Sequence, residues 1–130
     1  MHPPETLAQA VEPRAPEAGL LVRLRRDYAI QGLLVFALLA NFALLGLLLV
    51  RYNSLPDPLP LHFDASGLPD RIEAKSAILA LPEIGLIVIA LNLLLGVMVY
   101  RRERAATVLL LVGALFVQVL MWLATLNAAG

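Results

Sequence analysis

Three long apolar runs, Ile30 to Val50, Ala77 to Tyr100 and Ala105 to Leu126, alternate with short polar segments along this chain. Each run is about 20 residues, long enough for a helix rising about 1.5 Å per residue to cross about 30 Å of hydrocarbon. The pattern predicts an all-α integral membrane protein: three transmembrane helices at about 30–50, 77–100 and 105–126, with an ordered loop at 51–76 between the first two. Tyr28, Tyr52 and Tyr100 fall at span ends and Trp122 near the last one, as expected of aromatic residues that favour the membrane interface.

Within the runs, small and polar residues mark the faces on which helices pack. On the second helix Gly85, Ile89, Asn92 and Gly96 follow helical spacing, and on the third Thr107, Leu111, Ala114, Gln118, Met121 and Thr125 share a face. On the first, Ala37, Ala40, Ala43 and Gly46 recur every third residue, with Asn41 beside them. Small residues allow backbones to approach, and the amides of Asn41, Asn92 and Gln118 are expected to bond across helices rather than line a pore.

Pro82 and Glu83 complicate the start of the second helix. Either the span runs from Ala77 with a kink near Pro82, or it begins at Pro82 after a separate interfacial segment. Asp70 and Glu73 have capping-box spacing, which predicts that a helix begins near Asp70 in both cases. Glu83 is the one acidic residue inside an apolar run. It is either a site residue partnered by Arg51, Lys75 or His62, or a first-turn carboxylate at headgroup level favoured by the helix dipole.

Composition agrees with the pattern: 60% of the 130 residues are hydrophobic and only 15% charged, far from soluble usage. Residues 1–22 are rich in Pro and Glu without periodicity and read as a disordered cytoplasmic tail; residues 23–130 form the membrane domain. The first apolar run lacks a small-residue cleavage pattern and is expected to remain as an anchor. Six arginines, Arg23, Arg25, Arg26, Arg101, Arg102 and Arg104, flank one end of the spans, against Arg51, Arg71 and Lys75 at the other. The positive-inside rule then places the N-terminus in the cytoplasm and the 51–76 loop outside.

Net charge is zero and no basic patch points to nucleic acid; the absence of cysteine excludes disulfides, thiolate metal sites and thiol nucleophiles. Specific chemistry is concentrated in the loop. Pro56, Pro58 and Pro60 force an extended path, Leu61 to Asp64 alternates apolar and polar, and Asp64 to Gly67 is a turn signal. His62, Asp64, Asp70 and Glu73 offer cation ligands, but their spacing matches no calcium or zinc loop, so no metal and no cofactor is expected. Ser66 four residues from His62 is too generic for a nucleophile and base, and no catalytic residue or enzymatic activity is expected.

The run LPDPLPLHFDASGLPDRIEAKS resembles the signature of a bacterial membrane family, domain of unknown function 1648. Leu55, Pro56, Pro60, His62, Phe63, Gly67, Pro69, Asp70, Lys75 and Ser76 occupy its positions, while Asp64 stands where Asn is common and Ile72 where an aromatic is common. The resemblance covers about residues 30–100. In larger relatives, including SdpI-type proteins that protect a bacterium from a secreted peptide toxin, this module precedes further helices; the chain has three spans and is expected to lack that second half. The resemblance implies a bacterial family whose activity is largely unassigned; the expected reading of the chain is a small inner-membrane protein, a non-enzymatic binding or immunity-like module whose loop recognises an exported peptide or another membrane protein. The loop candidates are Pro60, His62, Phe63, Asp64, Gly67, Pro69, Asp70, Arg71 and Lys75; the intramembrane polar candidates are Asn41, Glu83, Asn92 and Gln118. A second expectation is an accessory subunit that stabilises a larger membrane complex, such as an energy-transducing assembly, in which case a packing stripe would be left exposed.

Overall fold

A computed structural model describes residues 19–129. The order is α1 (Leu20–Arg26), α2 (Tyr28–Arg51), β1 (Leu59–Phe63), β2 (Pro69–Glu73), α3 (Ala80–Val99) and α4 (Arg104–Ala129), with 3-10 turns at Tyr52–Ser54 and Lys75–Leu79. Three helical segments are long and apolar enough to cross a membrane, as the apolar runs predict. Most of the tail expected at 1–22 lies outside the described residues, but its last three, Leu20, Leu21 and Val22, belong to the short helix α1.

The three long helices pack against one another, α3 on α4 most extensively. On α3 the buried residues are Pro82, Gly85, Ile89 and Gly96, and on α4 Thr107, Leu111, Ala114, Gln118, Thr125 and Ala128. Both stripes follow the spacing read from the sequence, with Asn92 and Met121 half-buried at their edges. On α2 the small residues do drift off the packing face: Ala43 and Gly46 are exposed, and the buried face carries Ile30, Ala37, Asn41, Leu44 and Leu48. A three-residue spacing drifts around a helix of 3.6 residues per turn, so only Ala37 of the small residues is fully buried on the true face.

Glycine at two positions sets the distance between α3 and α4. A Cβ on Gly96 would lie 2.9 Å from Thr107 Cγ2, and one on Gly85 would lie 3.1 Å from both amide atoms of Gln118. The room so freed is filled by two polar side chains that donate to glycine carbonyls: Thr107 Oγ1 to Gly96 O at 2.8 Å and Gln118 Nε2 to Gly85 O at 3.0 Å. Eleven residues separate the two glycines and eleven separate their partners, about 16 Å along each helix. The antiparallel pair is therefore pinned at two depths by bonds that satisfy these donors inside the bundle.

The 51–76 segment departs from the all-α expectation. β1 and β2 pair antiparallel, with Leu59 opposite Glu73, Pro60 opposite Ile72, His62 opposite Arg71 and Phe63 opposite Pro69. No helix begins at Asp70, because Asp70 to Glu73 is strand. Arg71 and Glu73, two apart and hence on one side of a strand, pair at 2.7 Å, which removes Glu73 from any capping role. The helix instead starts with the 3-10 turn at Lys75–Leu79, and Pro82 sits in the first turn of α3, where its missing N–H has no partner to lose.

Candidate functional site

The hairpin is seated on the helix ends by its own apolar residues. Leu55 and Leu59 form one buried cluster with Leu44 and Leu48 of α2, Ala128 of α4 and Ile78 of the 3-10 turn, and Leu61 packs against it. A short two-stranded ribbon is marginal alone, and this apolar base supplies what it lacks. The base of the loop is also closed by polar contacts: the Lys75 backbone N–H donates to Asp57 Oδ1 at 3.3 Å, and Lys75 Nζ lies 5.0 Å from the centre of the Tyr52 ring.

Asp64 organises the tip. Its Oδ1 accepts from Ser66 Oγ at 2.6 Å, Ser66 N at 2.8 Å and Leu68 N at 2.9 Å, while Gly67 takes φ +81°. The Ser66 hydroxyl and these backbone donors hold the Asp64 carboxyl below the usual range. Asp64, Ser66 and Gly67 are thus committed to the turn. Beyond it the hairpin presents Leu68 and Ile72, 64% and 60% exposed, with Arg71 between them in sequence and Pro69 and Asp70 exposed beside them. The side chains of His62 and Phe63 lie outside the described residues. Pro60 is half-buried opposite Ile72.

The polar candidates on the long apolar helices are brought together only in part. Asn41, Gly85 and Gln118 meet where the three helices pack: Asn41 Oδ1 occupies the space that a Cβ on Gly85 would take, and Gln118 donates to the Gly85 carbonyl. Asn41 Oδ1 and Gln118 Oε1 are buried with no hydrogen-bond donor, both against the face of Gly85 that carries no side chain. Asn92 is elsewhere and half-buried; its amide donates to Val88 O of its own helix at 2.8 Å, not across helices. Glu83 is exposed in the first turn of α3 and forms no ion pair with Arg51 or Lys75; it borders, with Asn41 and Phe42, a groove of about 210 Å³ between α2 and α3.

Two contacts carry no strong signal in the sequence. Trp122 Nε1 donates to Ala40 O at 2.9 Å, tying α4 to the middle of α2. At the opposite end from the hairpin, Asp27 caps α2; its Oδ1 accepts from Arg104 Nη2 at 2.9 Å, and its Oδ2 accepts from both the Tyr100 hydroxyl, at 3.0 Å, and Arg104 Nε. An Asp directly before an apolar run is a recognised cap signal, which is the one trace of this tie in the sequence.

The Arg104 hydrogen bonds hold the Asp27 carboxyl far below the ordinary carboxylate range, against the opposing effect of its partial burial. Because the folded value is depressed, the contribution is complete above the ordinary carboxylate pKa of about 3.9 and fades as pH falls below it. Asp27→Asn keeps a capping oxygen but removes the charge, at an expected cost of about 1–2 kcal/mol at pH 7. Thermal unfolding in detergent should show the difference between wild type and variant shrinking from pH 5 towards pH 3; a difference independent of pH would contradict the assignment.

Among the known protein families, the one described as Domain of unknown function (DUF1648) matches the chain over residues 34–86. That stretch takes in most of α2, the whole hairpin and the first turns of α3. No curated protein and no solved structure matches. The match falls on the segment whose loop carries the signature residues, and residues 34–86 of the chain are similar to the DUF1648 family.

Proposed function

We propose that this chain is a small multi-pass protein of the bacterial inner membrane, N-terminus in the cytoplasm, acting as a non-enzymatic binding or immunity-like module through its extracytoplasmic hairpin. The observation that carries the reading is the division of labour in the hairpin. Leu55 and Leu59 are buried on the helix ends while Leu68 and Ile72 stand out to solvent beside Arg71. Holding apolar side chains in water on an ordered support fits recognition of a partner, since an unattached cover would gain nothing by exposing them. The partner class is an exported peptide or the outer surface of another membrane protein.

Orientation is supported by the six arginines of the opposite end, where α1, the start of α2 and the α3–α4 turn converge through the Asp27 tie. Burial of Gly85, Gly96 and Gln118 inside the chain's own bundle supports a self-contained module. The accessory-subunit reading draws on the exposed Ala43 and Gly46 of α2, around which a foreign helix could approach.

The test is purification from native membranes in mild detergent, with mass spectrometry of co-eluting proteins and peptides, comparing wild type with Leu68→Asp/Ile72→Asp. A species retained by wild type and lost from the inserted variant supports recognition by the hairpin. Equal retention by both makes the hairpin a structural cover and moves the contact to the helices.

A further inference from the structure

Opposite the hairpin, α1 and the α3–α4 turn enclose an open cleft of about 730 Å³ whose walls include Arg23, Arg26, Asp27, Tyr28, Tyr100 and Arg104. The elbow that shapes it is fixed, because Gln31 Nε2 donates to Arg25 O at 2.8 Å and Asp27 N to Leu24 O at 3.2 Å. Asp27, the one carboxylate in the wall, is already neutralised by Arg104. Arg23 and Arg26 are exposed and form no ion pair among the described residues; Arg25 beside them and Arg101 and Arg102 of the α3–α4 turn are likewise exposed and unpaired among the described residues, and Glu103 is the one acid of that turn. The cleft therefore carries a surplus of positive charge that the described residues do not neutralise.

Three features say what would. Planar guanidinium groups suit the oxygens of a phosphate. The cleft lies at the level where the apolar run of α2 begins, so a ligand there meets both the charge and the edge of the hydrocarbon. Leu21 and Val22 of α1 are 72% and 42% exposed beside the arginines, an apolar surface next to the charged one. We propose that this cleft is a binding site for the phosphate head group of an anionic phospholipid, held by Arg23 and Arg26, with Tyr28 at the rim and the acyl chains running along α1 and the base of α2.

This inference rests on the membrane-spanning reading above, and the two fail differently. If the chain does not span, alkaline carbonate releases it from membranes; if only the lipid site is wrong, the chain stays in the membrane and loses nothing but selectivity. The full chain in mild detergent is offered equal amounts of phosphatidylglycerol and phosphatidylcholine, and bound lipid is counted by native mass spectrometry. Wild type is expected to favour phosphatidylglycerol by about tenfold or more, each arginine near an anionic lipid contributing severalfold. Arg23→Ala/Arg26→Ala should lose the preference while keeping the thermal midpoint, and Arg51→Ala at the other end should keep it. Equal retention of the two lipids by wild type, or unchanged preference in the double variant, overturns the proposal. So does displacement of the lipid by millimolar inorganic phosphate, which would assign the cleft to a free anion.

Discussion

Gly85→Val is expected to be the most damaging single substitution in the helical bundle, at a cost of about 3 kcal/mol or more. The added Cβ would overlap Asn41 Oδ1 and press on both amide atoms of Gln118, so relief requires α3 to leave α2 and α4 together. Neither neighbour can yield cheaply, because Asn41 and Gln118 are themselves 2% and 0% exposed. Separation would also break the Gln118 to Gly85 hydrogen bond and leave an amide donor in an apolar setting. Gly46→Ala provides the contrast, since nothing lies within 4 Å of a Cβ there and the substitution is expected to be neutral or to stabilise by up to about 1 kcal/mol. Thermal unfolding of the two variants in the same detergent measures both; equal midpoints would show that Gly85 is not a contact point.

Leu59→Ala is the second large effect, expected to cost about 2–5 kcal/mol. Leu59 is fully buried where β1 meets Leu44, Leu48 and Ile78, and among the described residues no other side chain of either strand is as deeply buried. Truncation leaves a cavity under the ribbon, whose remaining attachment is Leu55, Leu61 and the contacts of Asp57 and Tyr52 with Lys75. The loss should be local, appearing as faster hydrogen exchange across residues 59–73 with the α3–α4 pair unchanged. Leu68→Ala, on the exposed side of the same hairpin, should change stability by less than about 0.5 kcal/mol. A uniform increase in exchange through all helices after Leu59→Ala would mean that the hairpin and bundle unfold as one unit.

These contrasts follow the line between what the sequence made visible and what it hid. The three long apolar helices were legible because a run of about 20 apolar residues is a strong constraint on what the chain can form. The faces of α3 and α4 were legible because each carries a Gly, Asn, Thr or Gln among larger apolar residues at helical spacing. On α2 that contrast is lost: Leu44 and Leu48 are buried while Leu49 and Phe42 are exposed, and apolar side chains serve both environments. Asp70 and Glu73 misled for a different reason. Their capping-box spacing was outweighed by the burial of Leu59 and the pairing of β1 with β2, neither of which is local. The Asp27 tie was hidden by distance, with Tyr100 and Arg104 lying 73 and 77 residues further along. In the candidate site, the turn of Asp64 and Gly67 could be read residue by residue, whereas the exposure of Leu68 and Ile72 depended on which way the ribbon turned.

The central proposal is that the hairpin is displayed on the extracytoplasmic side of the membrane by a three-span bundle. Because the chain contains no cysteine, single thiols can report on it without background. Leu68→Cys on the hairpin and Glu103→Cys in the α3–α4 turn, both at exposed positions, are treated in intact cells with a membrane-impermeant maleimide. The account predicts labelling of Leu68→Cys at once and of Glu103→Cys only after the membrane is permeabilised. Labelling of Glu103→Cys in intact cells with Leu68→Cys protected, or equal labelling of both, would contradict it.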